Sequence, residues 1–171
     1  MAFHQRAIRQ SHVRVGLEVL GSAGADRAAQ HRRRTLGPLV RETEVLLVSG
    51  GDALYLCHWM RESGLADLLP SLRDMVWVGV SAGSMVMTPR IGQDFVGWKP
   101  PNGGDQTLGV VDFSICPHVN PEGMPGNSMA EAESWAAGIE GPAYAIDDDT
   151  AIMVTDGTVE VISEGNWRLF S

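Results

Sequence analysis

Residues 75–88, MVWVGVSAGSMVMT, constrain the fold more than any other stretch of this chain. Met75 to Val80 form an unbroken apolar run that reads as a strand of the parallel-sheet kind, buried on both faces. The run stops at Ser81, and Ala82 to Thr88 can continue as a helix. Gly79-Val80-Ser81-Ala82-Gly83 therefore fits G-x-S-x-G at a strand-to-helix junction. A sharp turn there lifts a serine hydroxyl out of the sheet, and flanking glycines remove side chains that would collide. The start of the helix also leaves backbone N–H groups free to face developing negative charge. The plain alternative is a turn serine that caps a helix.

Other segments supply the rest of an α/β pattern. Val45 to Val48 is a second apolar strand, ending in Ser49-Gly50-Gly51, and Asp52 can cap a helix carrying Leu54, Leu56, Cys57 and Met60 that Gly64 stops. A short helix is expected around Leu65 to Arg73. Downstream, Val110 to Ile115 reads as a strand ending at Cys116-Pro117-His118, and Ser128 with Glu131 forms a capping box for a helix reaching Ile139. Pro142 to Ile146 is a strand. Ala151 to Thr155 and Thr158 to Ser163 are spaced as a hairpin across Asp156-Gly157, and Asn166 to Phe170 adds a last strand. The expected fold is a single α/β domain over 1–171, three-layered and flavodoxin-like, with a mostly parallel sheet and a C-terminal antiparallel hairpin.

In such sheets chemistry gathers at the carboxyl ends of the strands. Gly50-Gly51, Ser81, His118 and the turn Asp147-Asp148-Asp149 all fall there. A serine needs a base. His4, His12 and His31 lie in the poorly patterned first segment and His58 sits inside a helix, which leaves His118. An imidazole base needs an orienting acid, and the Asp147–Asp149 turn offers three.

Composition bounds the class. The chain has 171 residues, 44% hydrophobic and 20% charged, enough for one ordinary core. No apolar run approaches the roughly 18 residues of a membrane span, and the charged start MAFHQRAIRQSH lacks the apolar centre of a secretory signal. Cys57 and Cys116 are too few for a disulfide scaffold or a zinc pattern. A cytoplasmic protein without metal or organic cofactor is expected. Net charge is −8 but unevenly placed: eight arginines against two acids leave +6 over residues 1–41, and five basic against nineteen acidic residues leave −14 beyond them. His31-Arg32-Arg33-Arg34 has no aromatic residue for base stacking, so this segment reads as a solvated or self-packed arm, not a nucleic-acid site.

Four blocks, VSGGDALYL at 48–56, VGVSAGSMV at 78–86, VDFSICPHVNPEG at 111–123 and AIDDDTAIMV at 145–154, resemble the serine peptidase family of aspartyl dipeptidase (peptidase E) and cyanophycinase. That family's fold is related to the class I glutamine amidotransferases, whose elbow carries cysteine where this chain has Ser81. The resemblance implies hydrolysis of small peptides, with Ser81 as nucleophile, His118 as general base and Asp148 as the acid, a position the family usually fills with glutamate. It places the oxyanion hole at the N–H groups of Gly51, Gly50 and Ala82, and substrate contacts at Asp52, Asn120 and Met129.

This sequence departs from that family at several points. The family's turn is usually Gly-Gly-Gly-Asn; here it reads Ser49-Gly50-Gly51-Asp52. A carboxylate beside an oxyanion hole opposes the charge to be stabilised unless it turns to cap its helix. Met129 stands where aspartyl dipeptidase has a substrate-binding arginine, and neither Lys nor Arg occurs from Pro100 to Trp167, so strict Asp-X specificity is not expected. Residues 1–43 are an atypical basic segment without the family's clean opening strand, as though truncated. Two rival readings follow: an inactive peptidase E-like domain serving as a scaffold, and an esterase whose acid precedes the histidine, at Asp94, Asp105 or Asp112.

Overall fold

A computed structural model of the chain describes residues 36–101, 103–120 and 126–171. The helices expected before Thr35 and most of the basic segment lie outside the described residues. The chain order is α1 (36–41), β1 (Val45–Val48), α2 (Ala53–Glu62), α3 (Leu65–Leu68), β2 (Val76–Gly79), α4 (Ala82–Met85), β3 (Ser114–Cys116), α5 (Met129–Ala136), β4 (Ala143–Ile146), β5 (Thr150–Thr155), β6 (Thr158–Ser163) and β7 (Trp167–Phe170). It is a mixed α/β fold with parallel pairing.

β1 and β2 run parallel in the register Val45↔Val76 to Val48↔Gly79, and Val80 N–H donates to Val48 O at 2.9 Å, extending the pairing to the residue before Ser81. β3 pairs parallel with β4, which pairs antiparallel with β7. β5 and β6 form a separate antiparallel ladder closed at Thr155↔Thr158, where Asp156 and Gly157 both take positive φ (50° and 77°). A two-residue connection with both φ positive matches the strand twist of a tight hairpin.

Two apolar clusters hold the parallel pairs. Leu36, Val40, Leu46, Cys57, Met60, Leu65 and Val86 pack α1, α2, α3 and the end of the elbow helix on one face of β1–β2. Each fully buried Val, Leu or Met contributes about 1.5–3 kcal/mol. The second cluster joins β3 and β4 to α5 through Cys116, Val119, Ala132, Trp135, Ala143 and Ala145. Ser128 starts α5 with the expected capping box: its hydroxyl accepts from Glu131 N–H, and Glu131 accepts from Ser128 N–H at 2.7 Å.

The structure corrects three expectations. Among the described residues β1 and β2 are covered on one face: Leu46 and Trp77 pack inward, while Val45, Leu47, Val76 and Val78 are exposed at 40–63%. A continuous apolar run shows that both faces are apolar, not which layer covers each. The third strand is three residues long, because Val110 and Val111 both donate to Met87 O and fold 110–113 back over the elbow helix. The helix expected over 65–73 ends as α helix at Leu68 and continues through Pro70 as a 3₁₀ turn, Leu69–Ser71.

Candidate active site

Ser81 follows β2 by two residues with φ 55° and ψ −120°, a conformation that a residue other than glycine adopts only at a cost of about 1–3 kcal/mol. Its neighbours in the motif are fixed by space. A Cβ on Gly79 would lie 2.3 Å from Gly83 O, and a Cβ on Gly83 would lie 2.0 Å from Val48 O. The turn thus brings the start of α4 into backbone contact with β1, which only two glycines permit. Trp77 Nε1 donates to Gly83 O at 3.0 Å and braces the turn, and Ser84 and Met85 N–H donate to Ser81 O.

Gly50 lies against the serine, since a Cβ placed there would be 3.8 Å from Ser81 Oγ. Gly51 has φ 123°. Among the described residues no hydrogen bond engages the N–H groups of Gly50, Gly51 and Ala82. Asp52 does cap its helix: one carboxylate oxygen accepts from Tyr55 N–H at 2.9 Å, and the other accepts from Trp98 N–H at 2.6 Å. The carboxylate that looked hostile to an oxyanion hole is a double clamp, tying α2 to the loop that carries Trp98. Gly97 makes room for it, because a Cβ there would fall 2.6 Å from the Asp52 carboxylate.

His118 follows β3 with φ 57°, and its Nδ1 contacts Asp148 Oδ1; among the described residues no hydrogen bond engages Nε2. Val119 N–H donates to Ile146 O at 3.0 Å, so the histidine turn and the aspartate turn meet across the ends of the paired strands β3 and β4. The three aspartates divide their work. Asp147 accepts from Thr150 Oγ1 at 2.7 Å and from Asn166 and Asp149 N–H. Partial burial pushes its carboxyl upward, but these hydrogen bonds outweigh burial and hold it below its ordinary value. Asp149 accepts Glu164 N–H through its backbone. Asp148 alone reaches the histidine. The residues on which the esterase reading depends make no hydrogen bond to it: Asp105 is buried against Gly92 N–H and Arg90, and neither Asp94 nor Asp112 pairs with His118.

A functional position the sequence did not expose is Asn127. Its side-chain N–H₂ donates to Pro117 O and His118 O, each at 2.7 Å, and so fixes the turn that carries the histidine. Asn120 and Met129, expected as substrate contacts, are joined to each other: Asn120 Oδ1 accepts Met129 N–H at 3.2 Å at the start of α5. Cys116 is buried, and its thiol is pushed up to about 12, first by burial and then by the Asp94 carboxylate, so it is not a rival nucleophile. Among the described residues no group of three His, Cys, Asp or Glu side chains is placed to hold a metal ion.

One open cavity of about 270 Å³ joins these parts. Its walls include Gly51, Asp52, Ser81, Ala82, His118 and Asn127, with Ala53, Met85, Ile91, Phe95 and Pro117 as apolar lining. Ser81 and His118 face this space from different strands and make no hydrogen bond to each other. Catalytic hydrogen bonds in unliganded sites are often long and tighten on substrate binding.

Fold and site together have the form of a serine-type hydrolase. The chain matches the Peptidase family S51 over residues 7–162 and belongs to that family, the peptidase E and cyanophycinase family of serine peptidases. A search of curated proteins returns no match. Among solved structures, the chain is similar to a protein of Listeria monocytogenes EGD-e named for peptidase E, at 19% identity and a TM-score of 0.59 over 76% of this chain and 64% of that one. It is also similar to a peptidase from an acI-B1 Actinobacterium, at 19% identity and a TM-score of 0.54 over 78% of this chain and 56% of that one. The chain thus spans about three-fifths of the length of these structural relatives.

Proposed function

We propose that the protein is a serine-type peptidase that hydrolyses dipeptides or short peptides through an acyl-enzyme. The observation that carries this reading is the convergence on one cavity of a strained elbow serine and a histidine already paired with a carboxylate. In this mechanism His118 Nε2 takes the Ser81 Oγ proton as the oxygen attacks the scissile carbonyl. Asp148 holds the imidazole by Nδ1 and offsets its positive charge. The N–H groups of Gly51 and Ala82, with that of Gly50, receive the oxyanion, each such donor being worth about 10²–10³ in turnover. His118 then protonates the departing amine. Water, deprotonated by the same histidine, releases the acyl group.

A cavity of about 270 Å³ lies at the lower edge of the roughly 300–1,000 Å³ of small-molecule sites, which favours dipeptides over long chains. The same reading makes 1–171 one domain with a flavodoxin-like three-layer arrangement. Its two cysteines are free buried thiols, as suits a reducing compartment such as the cytoplasm. Incubation with a panel of dipeptides, with release of free amino acids measured, tests the reading. Wild type should hydrolyse at least one, and Ser81→Ala and His118→Ala should each lose about 10³-fold or more. Undiminished hydrolysis by Ser81→Ala would contradict it.

A further inference from the structure

We propose that the cavity beside Ser81 receives an uncharged, apolar acyl side chain of Leu or Met size and rejects an acidic one, an inference that rests on the serine-peptidase reading above. Its non-reacting walls are apolar. Ala53, Met85, Ile91 and Phe95 line it, and the Phe95 ring is held edge-on against Trp135 at 6.1 Å. These residues come from α2, α4 and the 91–95 segment, so the lining is assembled by the fold around the elbow and is not a single greasy helix face.

The polar side chains of the wall away from Ser81 and His118 are already committed. Asn127 spends its amide hydrogens on the Pro117 and His118 carbonyls, and each Asp52 oxygen accepts a backbone N–H. Neither side chain has a donor to spare for a carboxylate, and the N–H groups of Gly51 and Ala82 are required by the reacting carbonyl. Nor is a cation at hand: among the described residues no Lys or Arg lines the cavity, and Arg90, beside Ile91 in sequence, turns to Asp105 at 3.2 Å and Glu140 at 3.9 Å. Asp52 instead puts a carboxylate on the wall. An acidic substrate side chain would lose water, find no counter-charge among the described residues and face the Asp52 carboxylate, three penalties of the same sign. A Leu or Met side chain would gain apolar contact and leave no buried polar group unpaired.

The test is a comparison of kcat/KM for Leu-Ala, Met-Ala, Asp-Ala and Lys-Ala with the full-length wild-type protein, its active fraction counted by fluorophosphonate labelling of Ser81. Leu-Ala or Met-Ala should exceed Asp-Ala by at least about 100-fold. Phe95→Arg, which brings a cation to the half-buried side of the cavity, should narrow that ratio at least about tenfold. A labelled enzyme that cleaves Asp-Ala as fast as Leu-Ala, or cleaves none of the four, overturns the pocket assignment and leaves Ser81 as a reactive nucleophile. A folded protein that neither labels nor cleaves removes the serine reading, and this inference with it.

Discussion

The serine half and the histidine half of the site are built by different physical means. Ser81 is placed by backbone sterics: a parallel pair, two glycines in van der Waals contact with neighbouring carbonyls, and one indole brace from Trp77. His118 is placed by side-chain hydrogen bonds, from Asn127 behind it and Asp148 in front, on a turn where the His118 and Asp148 side chains are 40% and 65% exposed. A position enforced by excluded volume cannot relax, whereas one held by hydrogen bonds can exchange them with water. In the proposed mechanism the serine half is therefore the rigid reference against which the histidine adjusts when substrate arrives.

Substitutions in the two halves should fail in different ways. The largest effect is expected from Gly83→Ala, whose added Cβ would sit 2.0 Å from Val48 O, a backbone atom that cannot move without breaking the β1–β2 register. Overpacking at this closeness should exceed the usual cost of about 1–3 kcal/mol and be read as loss of cooperative denaturant unfolding. Asp148→Asn should lower kcat by about 10³–10⁴ while moving stability by less than about 1 kcal/mol, because the exposed acid orients the imidazole without packing anything.

Asn127→Ala should lie between these: two carbonyls lose their donor at a net cost of about 1–3 kcal/mol, and activity falls with them. If it unfolds the protein as thoroughly as Gly83→Ala, the histidine half is no more adjustable than the serine half. The smallest effect concerns Asp147. Its folded carboxyl titrates below the ordinary 3.8, so the stability it adds is fully present above that value and is lost as pH falls through the lower folded one. The stability difference between wild type and Asp147→Ala, measured by urea unfolding, should be constant near neutral pH and shrink in acid below 3.8.

The same asymmetry explains how much could be read from the residues alone. G-x-S-x-G, the capping box at Ser128 and Glu131 and the Asp156-Gly157 turn are local rules, satisfied within a few positions, so spacing announced them. Asp52 as a cap was legible for the same reason, but its second bond, to Trp98 N–H, joins positions 46 apart and no pattern signals it. Asn127 is invisible in the same way: it lies in a Gly/Pro-rich loop and acts nine and ten positions back on backbone carbonyls. Among three adjacent aspartates, only the path of the chain after β4 decides which one faces the histidine. What covers the second face of β1–β2 was not legible, because apolar runs report affinity for burial and not which layer supplies it.

Mapping of a fluorophosphonate adduct by peptide mass spectrometry tests most directly whether these two halves make one active nucleophile. Wild type should carry the adduct on Ser81 and nowhere else, Ser81→Ala should carry none, and His118→Ala should react at least about 100-fold more slowly. A folded wild-type protein that stays unmodified, or that is modified equally fast without His118, would contradict the assignment.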